Sequence, residues 1–370
     1  MRNSVALPLL LSLAAAFVAG PATAAQNAGK VCGETRETGG DAASVAAAVE
    51  KLKSLLDAPQ LKALQRPLNR ESAIQWSNLP LGVVPRMGLK LGDLNDGQTA
   101  AARHLFETAL SACGLALLDE IRLADDYLIP FDKRPIGWDG RNYFLTVLGT
   151  PSPKTPWMLQ LGGHHLAYNF TFNGRQPGAT PMFLGSEPIR FEIKGATHEP
   201  LTVQSSAMSR LAQAIAGLPP AKLSGTFTDV VKGVVVSFTP GQLPTGGIDT
   251  GFPHTYPTGD QDRGIRVGTL NDQQRQRVRE AIDSYLSLPG ASVSAALRAA
   301  YEDPEAFDAS YVGFAGSPDL GTEGSYVRID GPRLWMEFVV QRAVAKPETL
   351  HYHALWRDKQ SDYGGEIGPQ

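Results

Sequence analysis

The sequence predicts an α+β protein made of two related halves, each a helix followed by an antiparallel strand pair, packed as one globular unit. Three observations predict it. A strand-then-helix signature occurs twice at a fixed spacing, and each copy is followed by a hairpin pattern. Nowhere do strands and helices alternate in the rhythm of a parallel βαβ sheet.

The N-terminal segment is set aside first. Arg2 supplies a positive start, Val5 to Val18 is an apolar run, and Ala22-Thr23-Ala24 is a small-residue cleavage site. This pattern predicts a secretory signal peptide over residues 1–24 and a secreted or periplasmic location. The run is short for a membrane span, and no later stretch is long and apolar enough, so no stable membrane insertion is expected after cleavage. Residues 25–370 are read as one domain. A formal net charge of −3 gives nothing that attracts nucleic acid or an anionic membrane. Cys32 and Cys113 are the two cysteines. In an oxidising compartment they can pair, or they stand as separate thiols. A pair of cysteines excludes cysteine-rich zinc modules.

The elements follow in order. Asp41 to Leu56 has the apolar spacing of an amphipathic helix. Gly88-Leu-Lys-Leu-Gly92-Asp-Leu94-Asn95-Asp96-Gly-Gln98 then recurs as Gly264-Ile-Arg-Val-Gly268-Thr-Leu270-Asn271-Asp272-Gln-Gln274, at one constant offset. In each copy a short alternating strand leads into Asn-Asp-x-Gln, a capping box whose Asn caps the helix and whose Gln reaches back to the free backbone N–H. Leu105, Ala109 and Leu110, or Val278, Ile282 and Leu286, supply the apolar face, and Gly114 and Gly290 are expected helix stops. Tyr143 to Gly149 with Trp157 to Gln160 reads as a hairpin, and Tyr326 to Gly331 with Trp335 to Phe338 reads as its counterpart. The repeat halves span about residues 86–174 and 262–358. Ser205 to Leu218 and Ser292 to Tyr301 read as helices, Val230 to Phe238 as a strand, and Thr239 to Arg263 as a long loop.

The chemistry concentrates in two places. Four of the 7 histidines lie in Gly162-Gly-His-His165 and His351-Tyr-His353. Imidazole is both a common metal ligand and the acid–base group of neutral pH. Read as a strand, the first segment puts His164 on one face with Leu166, Tyr168 and Phe170, as a buried, hydrogen-bonded residue. His165 falls on the other face with Ala167, Asn169 and Thr171, lining a cleft or facing water. His351 and His353 share a strand face with Leu355 and Arg357, an arrangement that chelates one metal ion. Asp358 and Asp362 follow, as a ligand, an orienting carboxylate or an ordinary partner of Arg357. Glu337, inside an apolar run, is expected to pair with Arg328.

Gly-x-Ser-x-Gly, phosphate-loop, dinucleotide-glycine and His-Glu-x-x-His patterns are absent, so no nucleotide cofactor is expected. Leu161 to Phe172, Thr180-Pro-Met-Phe-Leu-Gly185, Tyr326 to Pro332 and His351 to Asp358 with Asp362-Tyr-Gly364 resemble a family of secreted proteins, domain of unknown function 3500 (DUF3500). The resemblance brings no activity with it. It implies that His164, His165, Asn169, His351, His353, Arg357, Asp358 and Asp362 are motif positions. Resembling proteins continue into an acidic residue, a Leu and His-Tyr where this chain has Gly365-Glu366-Ile367.

Two functional readings follow, and a structural one. In the first, a secreted enzyme carries a histidine-rich, metal-dependent site of hydrolase or oxidoreductase type. His165, His351 and His353 are catalytic or ligand a zinc or copper ion with Asp362; Arg357 holds an anionic group, Asp358 orients, and His164 and Asn169 bind a small-molecule substrate. In the second, the same residues form a non-catalytic periplasmic site for a small ligand or a metal. In the third, the histidines are hydrogen-bonded strand residues between the halves.

Overall fold

Both Asn-Asp-x-Gln signatures form capping boxes in the computed structural model, which describes residues 32, 39–132, 136–173, 177–224, 256–257 and 259–365. The Asn95 side chain accepts from the Gln98 amide at 3.0 Å, and the Gln98 side chain accepts from the Asn95 amide at 3.1 Å. Asn271 and Gln274 repeat the exchange at 3.2 and 2.9 Å. Each glutamine also donates to an earlier helical segment, Gln98 to the Leu55 carbonyl and Gln274 to the Ala214 carbonyl. The boxes therefore start two helices and fasten each to a neighbour.

The chain runs α1 (Ala42–Lys53), α2 (Ala58–Leu64), β1 (Gln65–Arg66), α3 (Arg70–Ala73), β2 (Leu89–Lys90), α4 (Asp96–Ala109) and α5 (Ala112–Leu128). Strands β3 (Phe144–Leu148), β4 (Trp157–Gly163), β5 (Leu166–Phe172), β6 (Met182–Ser186), β7 (Phe191–Ile193) and β8 (Ala196–His198) follow, then α6 (Thr202–Ile215). The second part holds β9 (Ile265–Arg266), α7 (Asp272–Leu286), α8 (Ala291–Tyr301), α9 (Pro304–Asp308), β10 (Tyr311–Ala315), β11 (Tyr326–Asp330), β12 (Leu334–Arg342) and β13 (Leu350–Asp358). This is the α+β class that the sequence predicts.

One 11-stranded mixed sheet has the order β1-β3-β4-β5-β6-β13-β12-β11-β10-β9, with β2 also on β3; β7 and β8 form a separate pair. Both predicted hairpins are present, β3 with β4 and β11 with β12. Their expected equivalence needs correction. The short strand before the first capping box pairs with β3, whereas the one before the second pairs with β10, not β11. By ladder position the partner of Phe144–Leu148 is Tyr311–Ala315, a strand that the sequence reading passes over.

Strand alternation gives the sheet two buried faces. Leu159, Tyr168, Phe170, Met336, Phe338 and Trp356 pack with the helices in the main core. On the reverse face Met158, Ala167, Phe183, Val339 and Leu355 pack under Ala73, Ile74, Trp76 and Tyr363. Ala167, Asn169 and Thr171 are thus buried rather than facing water, because the short helix α3 and the segments around Trp76 and Tyr363 cover the face that alternation marks as polar.

Gly114 and Gly290 also differ from expectation. Gly114 lies inside α5, whose N-cap Ser111 accepts from its amide, and Gly290 is the N-cap of α8. They are sites of close backbone approach: a Cβ on Gly114 would stand 2.1 Å from the Leu288 carbonyl oxygen, and one on Gly290 would stand 2.5 Å from the Gly40 nitrogen. Cys32 and Cys113 form a disulfide that ties the N-terminal segment to the start of α5. The expected signal peptide, the Val230–Phe238 strand, most of the 239–263 loop and residues 366–370 lie outside the described residues. Among the described residues no helix is long and apolar enough to cross a membrane.

Replacing Asn271 by Ala removes one cap and should lower unfolding free energy by about 1 kcal/mol. Gln98→Ala also strands the Leu55 carbonyl and should cost about 2 kcal/mol. Urea titration of both variants measures the difference.

Candidate metal centre

His164 and His165 are not strand residues. They form the two-residue connection between β4 and β5, so both rings are free of the strand alternation that separates them on paper. His165 has φ 61°, in the left-handed region, a conformation that costs a non-glycine residue roughly 1–2 kcal/mol. It is held there from both sides. The His165 amide donates to the Asn78 carbonyl at 3.1 Å, and its carbonyl accepts from the Gly185 amide at 2.7 Å.

That second bond sets the site. β6 lies between β5 and β13, and Gly185 is the register partner of His353. His165, Gly185 and His353 therefore form one row across three strands. Two strand spacings are roughly 9.6 Å, yet the His165 and His353 ring centroids are 5.2 Å apart. The missing side chain at Gly185 supplies the room: a Cβ there would meet His165 Cδ2 at 2.8 Å. The predicted His-x-His face is formed as well, with His351 and His353 ring centroids 4.2 Å apart. Phe183 packs edge-on against the His353 ring.

One nitrogen from each of His165, His351 and His353 lies within 4.8 Å of the others, so this buried group could hold a metal ion. His165 Nε2 and His351 Nε2 are 2.9 Å apart. Metal–nitrogen bonds of about 2.0–2.1 Å place tetrahedral donors roughly 3.3 Å apart, a spacing that the His165–His351 pair comes close to. The group is also electrostatically prepared. Burial, then the neighbouring histidines, hold His165 and His351 well below the usual imidazole value. Both rings are therefore neutral at pH 7, the state that ligates.

Carboxylates stand behind the rings. His351 Nδ1 lies 3.9 Å from a Glu187 oxygen, an outer-shell position rather than a direct hydrogen bond. The other Glu187 oxygen accepts from the Ala345 amide, and burial raises the Glu187 pKa. His164 stacks on His165 at 3.6 Å, and its Nδ1 meets Asp125 at 2.5 Å. Tyr143 donates to the His164 carbonyl at 2.7 Å and lies 3.0 Å from Asp125. Gly163 makes room for this tyrosine, since a Cβ would stand 2.8 Å from its ring. His164 is thus buried and hydrogen-bonded to a partner, as expected, yet it lines the same cavity as His165.

That cavity has a volume of about 270 Å³ and is lined by all four histidines, Glu187 and the 78–83 segment. Arg86 secures the segment by donating to the carbonyls of Val84, Ser77 and Leu79. Burial pulls its guanidinium down to about 10. A larger cleft of about 790 Å³ lies among the helices beside Cys32 and Cys113, and no histidine lines it. The ligating chemistry sits in the smaller space.

The other predicted residues are placed elsewhere. Asn169 accepts from Gln160 at 2.9 Å and donates to the Pro181 carbonyl at 2.6 Å. Arg357 shares the histidine face of β13 but stands four residues, roughly 13 Å, beyond His353. There it pairs with Asp362 at 2.5 Å, both buried. Asp358 accepts from Arg333 at 2.6 Å and Tyr301 at 3.1 Å. None of Asn169, Arg357, Asp358 and Asp362 lines the histidine cavity. Glu337 lies directly across the ladder from Arg328, and its carboxylate also accepts from Tyr326 and Trp335.

Asp125, Tyr143, Glu187, Asn78 and Arg86 are not among the residues that sequence reasoning selects. Asp125 had a legible signal: with Leu118, Ile121 and Leu128 it sits on the apolar stripe of α5, where a carboxylate needs a partner.

The chain matches the family described as protein of unknown function, DUF3500, over residues 38–365. It belongs to the DUF3500 family. Comparison with curated proteins returned no match, and comparison with solved structures returned none. Gly162 to His165 and His351 to His353, both within the matched span, are the segments that build the three-histidine group.

Gly185→Ala places a methyl group against the His165 ring. It should cost about 1–3 kcal/mol of stability and weaken metal binding by about tenfold or more, read by calorimetry with zinc.

Histidines whose folded pKa lies below the unfolded value favour the folded state above that value and lose this contribution as pH falls through it. In chelator, stability should therefore hold above about pH 6.5 and fall progressively as the pH drops below it toward the depressed folded values. The slope should be shallower in a His165→Asn/His351→Gln variant, as measured by urea unfolding at each pH.

Proposed function

We propose that this DUF3500 protein is a metal-dependent enzyme whose ion is held by His165, His351 and His353. The supporting observation is three buried imidazole nitrogens within 4.8 Å of one another, beside a cavity able to admit a small molecule. Three histidines leave a coordination position open, the pattern of a catalytic rather than a structural zinc site. Zinc is the first assignment and copper the second, since no thiolate or thioether stands in the group to favour a copper electron-transfer centre.

An ion held there would supply Lewis acidity, polarising a substrate oxygen and acidifying a coordinated water. The protein groups have separate tasks. His165, His351 and His353 ligate, and Glu187 orients His351. Asp125 and Tyr143 fix His164 beside the ligand ring, and the Arg86-held segment keeps bulk water out. Hydrolysis is the reaction class favoured by this arrangement. A non-catalytic metal or small-ligand binder is the second reading, favoured by how deeply the group is buried.

A secreted or periplasmic location belongs to the same proposal; the Cys32–Cys113 disulfide supports it, because such bonds persist in oxidising compartments. The paired capping boxes and matching ladder positions of β3 and β10 support descent of the two halves from one duplicated unit.

Protein purified without a histidine tag and loaded with zinc or copper should bind one ion per chain. A His351→Ala/His353→Ala variant should lose it while keeping its circular dichroism. No uptake under any loading condition sinks the metal centre. Uptake with no turnover on a panel of esters, amides and lactones leaves the binder.

A further inference from the structure

The polar atoms around the histidine cavity describe what it accepts, and this inference rests on the metal-centre reading of the same cavity. Asn78 is 1 % exposed and Trp138 6 % exposed. Both line the cavity with Gln341, which is the cross-strand partner of His351 and so shares its face. Asn78 Oδ1, Gln341 Oε1 and Trp138 Nε1 have no hydrogen-bond partner among the described residues. Buried polar atoms left in this state are costly, and three of them around one cavity next to a ligand triad point to a bound molecule. Leu79, Val83 and Ile136 supply apolar wall between them.

Charge narrows the class. Apart from the histidines, the ionisable residues lining the cavity are Glu187 and Arg342. Arg342 is engaged by Glu323 at 3.0 Å and its side chain is 64 % exposed. Among the described residues no buried side-chain cation faces the space and a buried carboxylate does, so an anion there would have only an ion on the histidines to hold it. An ionised carboxylate or phosphate only accepts hydrogen bonds, so it would leave the Asn78 and Gln341 oxygens unanswered. A hydroxyl donates and accepts, which satisfies an amide whichever way it is turned, and also the Trp138 N–H. The volume of about 270 Å³ lies just below the usual range for drug-sized ligands and suits one ring.

We infer that the cavity binds a small uncharged ring compound bearing hydroxyl groups, a phenol or an alicyclic alcohol, with its hydroxyl end toward Asn78, Gln341 and the Trp138 N–H and its apolar body against Leu79, Val83 and Ile136. This replaces the anionic substrate expected from Arg357, which lies at the far end of the strand.

The test uses the full chain, zinc-loaded and metal-free, with phenol, cyclohexanol, toluene and benzoate as probes in ligand-observed NMR titrations. Phenol and cyclohexanol should bind about tenfold or more tighter than toluene and benzoate. Trp138→Phe and Gln341→Leu should each weaken phenol several-fold, with unchanged circular dichroism and, where zinc binds, unchanged zinc stoichiometry. Benzoate binding as well as phenol, toluene matching phenol, or both variants keeping full affinity overturns the inference. Phenol bound by a protein that takes up no zinc sinks the metal centre and leaves this assignment standing. Zinc bound with benzoate preferred does the reverse.

Discussion

At Gly185 the sheet carries no side chain, and the His165 imidazole occupies that space. The centre depends on this one vacancy. The Gly185 amide bonds the His165 carbonyl, and the same residue stands opposite His353 in the next ladder. A single backbone position thus fixes the distance between a turn histidine and a strand pair nearly 190 positions later in the chain. Sheet registers tolerate little drift, since a one-residue slip would turn every side chain to the other face. The imidazoles meet because hydrogen-bonded backbone brings them together, and His165 and His351 then hydrogen-bond through their Nε2 atoms.

His165, His351 and His353 are packed together as buried imidazoles. Buried polar groups are usually satisfied in pairs, a donor meeting an acceptor. Here burial and mutual proximity both disfavour protonation of His165 and His351. The cluster consequently brings one nitrogen of each ring within 4.8 Å of the others. At the other end of β13 the same strand face solves its polarity differently, with Arg357 and Asp362 closing on each other. One face of one strand therefore carries a centre with ligating capacity and, roughly 13 Å away, an ion pair that ties β13 to the Asp362–Gly364 turn.

The coverings differ between the two faces of the sheet. Helices seal one side with an apolar core. The reverse side is closed by the short helix α3 and by irregular chain, including the 78–83 segment held by Arg86 through three carbonyls. Irregular backbone leaves polar groups to place, and a cavity lined by Asn78, Trp138 and Gln341 is the result. Functional groups gather where regular packing gives way to loops on a rigid support.

Local chemistry was readable in the sequence. The capping boxes, three flanking helices, both hairpins, the α+β class and the shared face of His351 and His353 depend on residues within a few positions of each other, and the chain order displays such relations. So did the choice of His165, His351 and His353, because imidazole is rare in this chain and concentrated in two segments. The α5 helix with Asp125 was legible in its apolar spacing but was passed over. What the tertiary structure alone decided is which distant residues share a neighbourhood. The β4–β5 turn, which frees His164 and His165 from strand alternation, follows from ladder register. So do the placement of β6 between the histidine strands and the removal of Arg357, Asp358 and Asp362 to the far end. The use of Gly114 and Gly290 as crossing points arises where segments pack against each other. Register and packing are long-range properties, set by the pairing of segments far apart in the chain, and no local pattern of residues encodes them.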